Sequence, residues 1–323
     1  MSAKRLLAIA VSIGLLAWLL ADGRWRGLGE VFARLDIPTL MLCASGFGLS
    51  YILRALRVFD EFRAQATGRF GACLRIVLIH NAMINVVPFR GGEAAFPLLL
   101  RQNFGVALPR AIASLFWFRL QDAFVVMALA AFVWPGLPLA LKAACITGVV
   151  TLAWWLPRWA RAPHDWADGK AFTAKLAKVR DAFAESTRHA RYGWVWTIAN
   201  WTVKLAAQAA LLAALLPAAI DVGAAGALGA ELAAILPIQG VAGFGTYEAG
   251  AAAALLPNGT SLTAGLQVAL ALHLFVIACS VTSGAIAWLF PAAKTPEAAA
   301  APRSDLQSAS SANDGVNTRS VNE

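Results

Sequence analysis

The residues that could do chemistry in this chain are charged side chains inside long apolar stretches. Arg119 and Asp122 lie near the middle of one stretch, and their spacing places both on one face of a helix. Lys204 lies near the middle of another stretch. A charge at membrane depth costs about 2.5–3.5 kcal/mol per residue and usually faces the interior of a helix bundle. These residues predict either ion pairs that fix helix packing or a polar site inside the bundle.

Lys204 and His273 are two polar residues inside apolar stretches, and they predict different roles. An unpaired lysine in the middle of a span needs an acidic partner, and the chain offers Glu93, Asp122, Glu231 and Glu248. Lys204 is therefore open to a binding role or to a structural pair. A single histidine inside a membrane is more often a hydrogen-bonded packing residue, and we interpret His273 in that way.

Three more charged residues lie where apolar segments are interrupted. Arg90 and Glu93 share the first interruption, where an arginine beside free backbone N–H groups suits a phosphate, because its planar fork binds phosphate through two hydrogen bonds. The alternative is an ion pair between these two residues that closes the turn. Glu248 follows the second interruption, where it either caps the restarting helix or carries a proton.

The two interruptions have the same order of residue types: proline, then glycines, then a glutamate. Proline and glycine break a helix and free its backbone polar groups, which a bilayer tolerates only beside protein or a water-filled cavity. Paired interruptions of this kind in two halves of a membrane protein indicate a transport site. The predicted turn residues are Pro88, Gly91, Gly92, Pro237, Gly240, Gly243 and Gly245.

The composition is that of an integral membrane protein. Hydrophobic residues make up 59% and charged residues 14% of the chain, so a soluble surface is excluded for most of it. The net charge of +9 does not indicate nucleic-acid binding, because Lys and Arg cluster in short loops between apolar stretches. The four cysteines lie singly, and the motifs of ATP-driven pumps, serine hydrolases and zinc proteases are missing. No metal, other cofactor or enzymatic activity is therefore predicted.

The apolar stretches predict an all-α fold with about six full membrane spans, each of roughly 20 residues. We place the spans at 6–21, 37–53, 111–134, 138–156, 194–216 and 265–290. Segments 72–100 and 225–256 are too long for one crossing and are broken at their centres. We interpret both as re-entrant helical hairpins, which enter and leave the membrane on the same side.

The basic residues predict the orientation of these spans. Most Lys and Arg, with Arg54 and Arg57 counted as loop residues, fall on one side, which the positive-inside rule makes cytoplasmic. Both termini then face the cytoplasm, and the hairpins enter the membrane from opposite faces. Span, hairpin and span recur in opposite orientation in residues 37–134 and 194–290, which predicts an inverted-topology repeat like that of many alternating-access carriers.

Two regions are predicted to be peripheral to this membrane domain of residues 1–290. Loop 157–193 is basic and cytoplasmic, and it contains an amphipathic helix suited to an anionic membrane surface. The apolar face of that helix is Phe172, Leu176, Val179 and Phe183. Residues 291–323 are rich in Ala, Ser and Asn, which predicts a disordered cytoplasmic tail.

Three stretches together resemble the membrane region of lysylphosphatidylglycerol synthases and the stand-alone proteins that share it. They are NVVPFRGGE at 85–93, RLQD at 119–122 and PIQGVAGFGTYE at 237–248. The resemblance implies eight membrane segments that move a phospholipid or lipid-linked intermediate between leaflets. It also implies that Arg90, Glu93, Arg119, Asp122 and Glu248 line the headgroup path. The lysyl-transferring soluble domain is not expected, so synthase activity is not implied.

The chain departs from the family pattern at three positions near these stretches. Phe96, Phe118 and Tyr247 stand where the family often has charged residues. Phe96 and Tyr247, which are near the turns, stand where basic residues are often found, and fewer cations there argue against an aminoacylated phosphatidylglycerol as cargo. Hopanoid and polyprenyl-lipid pathways, with which stand-alone members are also associated, fit a less charged cavity.

The leading hypothesis is a lipid translocase whose two hairpins meet near the membrane midplane and hold an anionic headgroup. Its partners would be membrane lipids and, through a shared pathway, lipid-biosynthesis enzymes. One alternative is an integral-membrane enzyme acting on a lipid-linked substrate, with Glu93 or Glu248 as the base. The other is a non-catalytic scaffold in a complex that makes hopanoid or polyprenyl lipids.

Overall fold

A computed structural model describes residues 28–87, 91–134, 136–166, 171–235 and 241–289 of the chain. All of them belong to the unit that ends at position 290. The predicted first span at 6–21 and the predicted tail at 291–323 lie outside the described residues. The same holds for four of the predicted site and turn residues, which are Pro88, Arg90, Pro237 and Gly240.

The described residues form helices and turns, without a β-strand among them. The helices are α1 (Leu28–Phe32), α2 (Ile37–Glu61), α3 (Arg63–Ala66), α4 (Phe70–Val86), α5 (Ala95–Phe104), α6 (Leu108–Val133), α7 (Leu139–Arg161), α8 (Ala171–Ser186), α9 (Gly193–Leu215), α10 (Ile220–Ile235), α11 (Thr246–Leu255) and α12 (Leu262–Leu289). Five of them are long and apolar enough to cross a membrane, namely α2, α6, α7, α9 and α12. The predicted class, an all-α membrane protein with several spans, is confirmed.

Helix α2 is longer than the sequence analysis predicted. The predicted span ended at position 53 and left Arg54 and Arg57 in a loop, but the helix continues to Glu61 and Arg57 is only 3% exposed. That prediction was wrong because the positive-inside rule treats every arginine as a loop residue. An arginine with partners inside the protein can remain in the span. Residues 54–61 also contain no glycine or proline that would end the helix earlier.

The regions flanking α7 also differ from the prediction. The basic loop was placed at 157–193, but α7 runs through Pro157 to Arg161 and α8 lies inside the remainder. The apolar face predicted for α8 divides in two. Phe172 is 71% and Val179 is 67% exposed, whereas Phe183 is buried against Trp117. Phe183 faces inward because α8 packs on the helix bundle at this point. The sequence pattern of one helix does not include such contacts.

Both interrupted segments have the predicted order of helix, break and helix. Helix α4 precedes a 3-10 turn (Gly91–Ala94) and α5, and α10 precedes a second 3-10 turn (Val241–Gly243) and α11. The first turn requires glycine at Gly92, since a Cβ there would lie 2.1 Å from the carbonyl oxygen of Met83. The second turn has positive φ angles of +87° at Gly243 and +88° at Gly245. That each segment enters and leaves on one side of the membrane stays a prediction.

The two halves of the bundle pack against each other reciprocally. Helix α2 packs on α9, α4 packs on α12, and α10 packs on α6. The first limb of each interrupted segment thus lies against the closing helix of the other half. Small residues allow the close approach: a Cβ on Gly284 would lie 2.3 Å from the Cβ of Ala82, and one on Gly46 would lie 2.8 Å from that of Ala207. This arrangement brings both turns to the centre of the bundle.

Candidate functional site

A polar cavity of about 450 Å³ lies where the two interrupted segments meet. Helices α2, α4, α6, α9, α10 and α12 and both turns contribute side chains to its wall. Its charged lining residues are Arg54, Glu93, Arg119, Asp122, Lys204 and Glu231. Four of these, Glu93, Arg119, Asp122 and Lys204, are predicted site residues that come from three separate parts of the chain. Burying this many charges near an apolar core requires partners, and the partners define the site.

Asp122 is the centre of a hydrogen-bonded group that connects three helices. Its Oδ1 accepts hydrogen bonds from Arg57 Nη1 at 2.7 Å and from Trp201 Nε1 at 2.9 Å. Arg57 Nη1 also donates to the hydroxyl of Thr197 at 2.9 Å. Arg119 Nη1 lies 3.8 Å from the other carboxylate oxygen. The predicted pairing of Arg119 with Asp122 is therefore present but is the longer contact, and Arg57 is the closer partner.

Glu93 connects the first turn to α6. Its Oε1 accepts a hydrogen bond from Arg119 Nη2 at 2.7 Å, and its Oε2 lies 3.4 Å from His80 Nε2. The sequence analysis offered an internal pair with Arg90 as the alternative for this glutamate. Arg90 lies outside the described residues, and the partner that the structure gives to Glu93 is Arg119. An arginine in mid-span thus holds the turn to the long helix that follows it.

Lys204 has the acidic partner that its position required. Its Nζ lies 2.7 Å from Glu231 Oε1 and 4.5 Å from the centre of the Trp201 ring. Gln208 donates to the same carboxylate oxygen at 2.7 Å and to the hydroxyl of Tyr247 at 2.9 Å. Of the four acidic residues considered from the sequence, the structure selects Glu231. The lysine therefore joins α9 to α10 at the cavity wall.

Glu248 connects the second turn to α12. Its Oε2 accepts a hydrogen bond from the backbone N–H of Gly245 at 2.7 Å, which confirms the predicted helix cap. Its Oε1 lies 2.6 Å from His273 Nδ1, and the ring of Tyr247 stacks on the imidazole with 4.4 Å between centroids. His273 lines the cavity, whereas Glu248 is buried behind it. The histidine interpreted as a packing residue is also the group through which Glu248 reaches the site.

The two turns are attached to the bundle in the same way. In each case a glutamate at or just after the turn pairs with a basic residue in the middle of the next long helix. The paired residues are 26 positions apart for Glu93 and Arg119, and 25 positions apart for Glu248 and His273. Because the correspondence joins an acidic and a basic residue at nearly the same spacing, it supports a repeated structural unit.

Arg54 is a cavity residue that the sequence analysis missed. Its Nη1 donates to Asn81 Oδ1 at 2.8 Å, while its Nε has no hydrogen-bond partner and, within the described part of the chain, no carboxylate lies at ion-pairing distance. The signal that could have found it is helical spacing, since Tyr51, Arg54 and Arg57 recur every three residues without a helix breaker. Arg57, which the analysis also left in a loop, holds Asp122.

The charges around the cavity nearly balance, and the imbalance is at Arg54. The acidic lining residues are each paired, Glu93 with Arg119, Asp122 with Arg57, and Glu231 with Lys204. The described lining itself carries three cations and three carboxylates, and Arg57 lies outside it. With Arg57 counted as the partner of Asp122, Arg54 is the cation left over among the described residues. A guanidinium fork without an acidic partner in a polar cavity can bind one phosphate or carboxylate group.

Comparison with protein families agrees with this architecture. The family model described as the lysylphosphatidylglycerol synthase TM region matches residues 5–284. The curated proteins and the solved structures gave no match to the chain. The matched range includes both interrupted segments and all the cavity residues described above. The chain therefore belongs to the family of the lysylphosphatidylglycerol synthase transmembrane region.

Proposed function

We propose that this protein translocates a phospholipid or a lipid-linked biosynthetic intermediate across the inner membrane of a bacterium. The observation that carries the proposal is Arg54, a guanidinium without an acidic partner among the described residues, in a polar cavity between two interrupted helical segments. A lipid headgroup must cross the hydrocarbon layer of the membrane. The polar side chains of such a cavity would form the hydrogen bonds that the headgroup otherwise forms with water. Family membership supports a role in lipid handling.

The charges of the cavity suit a headgroup with a single negative charge. Arg54 would provide the positive charge, and its Nε, which has no hydrogen-bond partner, would donate to a phosphate oxygen. Asn85, whose amide donates to Ser280 at 2.8 Å, and Tyr51 offer polar contacts on the same wall. The acyl chains would remain in the surrounding bilayer, because the cavity volume of about 450 Å³ does not hold them as well.

The turns would control access to the cavity from the two faces of the membrane. Under the inverted-topology hypothesis they enter from opposite sides, and each is held by one glutamate, Glu93 or Glu248. A headgroup phosphate that draws Arg119 away from Glu93 would release the first turn and leave the second closed. Alternating release of the two turns is the movement that a carrier with inverted repeats requires. The reciprocal packing of the two halves supports such a movement.

Translocation is tested in vesicles containing the purified protein and a fluorescent lipid that is quenched from outside. The lipids compared are phosphatidylglycerol, phosphatidylethanolamine, phosphatidylcholine and a polyprenyl phosphate, each with and without a proton gradient. We expect at least one to cross faster than in protein-free vesicles. The proposal fails if none does.

Two matched variants distinguish a specific role of Arg54 in the cavity from a general effect of removing one positive charge. Arg54→Gln should reduce the rate roughly tenfold or more, because a hydrogen bond to a charged group contributes about 1.5–3 kcal/mol. Arg101→Gln changes an exposed arginine on α5 outside the cavity and should leave the rate unchanged. Equal rates for the wild-type protein and Arg54→Gln would remove Arg54 from the headgroup path.

The buried pair of Glu248 and His273 favours a second candidate function, an integral-membrane enzyme that acts on a lipid-linked substrate. A histidine that lines a cavity and is oriented by a carboxylate at 2.6 Å has the geometry of a general base. The two candidates differ in the lipids of a deletion strain. A translocase leaves the lipid species unchanged but confined to one leaflet, whereas an enzyme alters the species themselves.

A further inference from the structure

A second groove, of about 580 Å³, lies between α6, α7 and α9. It uses the face of α6 that carries Trp117, Gln121 and Phe124, not the face that carries Arg119 and Asp122. The groove is therefore separate from the polar cavity, and no part of the proposed translocation depends on it.

The walls of the groove suit a hydrocarbon chain. Apolar residues line it from Trp117 to Leu129 on α6, a distance of roughly 18 Å at the rise of an α-helix. This is close to the thickness of one leaflet of the hydrocarbon core, roughly 15 Å. The opposite wall is α7, whose most apolar window contains no buried residue. The groove therefore opens toward the region that lipid occupies.

Three arginines surround one end of this groove. Arg158 and Arg161 come from the last turn of α7, and Arg191 comes from the loop before α9. All three are exposed, and among the described residues none forms an ion pair. Arg158 lies over the ring of Trp154 at 3.7 Å. Aromatic and basic residues at helix ends mark the level of the lipid headgroups.

Gln121 adds an unsatisfied polar atom beside this end of the groove. The residue is 2% exposed, and its Oε1 has no hydrogen-bond partner. A Cβ on Gly193, at the beginning of α9, would lie 3.4 Å from Gln121 Nε2. A buried acceptor normally has a donor, so the site suits a ligand that brings a hydroxyl group near its charge.

We propose that this groove binds one acidic glycerophospholipid as a second lipid site. Its phosphate lies among Arg158, Arg161 and Arg191, and one acyl chain lies along α6. A headgroup hydroxyl donates to Gln121. Three cations around one end of an apolar groove fit an acidic lipid, because a zwitterionic lipid would bring its own positive charge among them.

Native mass spectrometry of the purified protein tests this site by counting the lipids that it retains. The probes are phosphatidylglycerol and phosphatidylcholine with identical acyl chains. We expect tighter retention of phosphatidylglycerol, and the triple change Arg158→Gln, Arg161→Gln and Arg191→Gln should weaken its binding roughly tenfold or more. Arg188→Gln, a nearby exposed arginine outside the groove, is the matched control and should bind like the wild-type protein.

Two further variants separate lipid binding in the groove from misfolding and from lipid binding in the polar cavity. Ala153→Trp fills the groove from the lipid-facing helix α7 and should displace phosphatidylglycerol although all three arginines remain. Because the polar cavity would also hold an acidic headgroup, the lipids retained by the groove variants are counted in the Arg54→Gln background, so that a lost lipid is lost from the groove. In that background, equal retention of both probes, or an unchanged number of phosphatidylglycerol molecules retained by Ala153→Trp or by the triple variant, would overturn the proposal. Melting curves establish whether each variant is folded. If the triple variant does not fold, lipid retention by Ala153→Trp tests the proposal in its place.

Discussion

At the scale of single residues, the site consists of buried charges that hold one another in place. Asp122 accepts hydrogen bonds from Arg57 and Trp201 and thereby fixes three helices. Arg57 is 3% exposed, so loss of the carboxylate would leave a guanidinium charge buried without compensation. The individual charges were visible in the sequence. Their partners were not, because pairing depends on contacts between distant parts of the chain.

The change Asp122→Asn should strongly destabilise the protein. Breaking a buried ion pair costs about 3–5 kcal/mol, because the remaining charge keeps its desolvation penalty. The control is Asp181→Asn, whose side chain is 65% exposed and pairs with His164 at the surface. That change should cost less than about 1 kcal/mol. Melting curves in detergent compare the two, and equal melting temperatures would contradict the structural role of Asp122.

Lys204 and Glu231 should behave as a coupled pair. The change Lys204→Met leaves a buried carboxylate whose remaining hydrogen-bonding partners among the described residues are Gln208 and Tyr247, so we expect a large fall in melting temperature. The second change Glu231→Gln removes that charge and should recover part of the loss. A coupling free energy of about 0.5–3 kcal/mol is typical of residues in contact. Additive effects in the double-mutant cycle would show that the pair makes no net contribution.

At the scale of elements, the helix breakers were the most informative part of the sequence. Each of the two segments breaks between its helices where glycines were predicted to interrupt it, since glycine acts locally on the backbone. The end of α2 was placed eight residues too early, because Arg54 and Arg57 stay helical by pairing with residues of α4 and α6. Local patterns thus identify where a helix must stop. Where a charged helix can continue depends on its neighbours.

The first turn should tolerate no side chain at Gly92. The change Gly92→Ala places a Cβ 2.1 Å from the carbonyl oxygen of Met83, so the turn or α4 must shift. Overpacking of this kind costs about 1–3 kcal/mol. Gly71, in the first turn of α4, has no atom within 4 Å of its Cβ position, and Gly71→Ala should be neutral or slightly stabilising. Melting temperature and transport rate check both, and an unaffected Gly92→Ala protein would contradict the packing.

At the scale of the whole molecule, the sequence predicted the class and most of the spans from composition and length. It could not show that α4 packs on α12 while α10 packs on α6, since that pairing joins the two halves. The predicted orientation rests on loop charges. It is checked by the reaction of single cysteines with a maleimide that does not cross membranes.

The orientation predicts opposite labelling at two exposed positions in a protein whose own cysteines have been replaced. Ser261→Cys, before α12, should react in intact cells. Lys178→Cys, on α8, should react only after the cells are permeabilised. The reverse labelling pattern would show that the protein has the opposite orientation in the membrane. Labelling of both cysteines in intact cells would contradict the cytoplasmic placement of α8.

The excess charge at Arg54 has a consequence for the cell's energy supply. A water-filled cavity in a membrane carrier is a potential leak for protons and sodium ions. Each carboxylate of the described lining has a basic partner, and the Arg54 guanidinium has no carboxylate partner among the described residues. A fixed arginine of this kind raises the electrostatic barrier to cations, as it does in water-selective pores. The residue that would attract a phosphate would thus also protect the membrane potential while the cavity is empty.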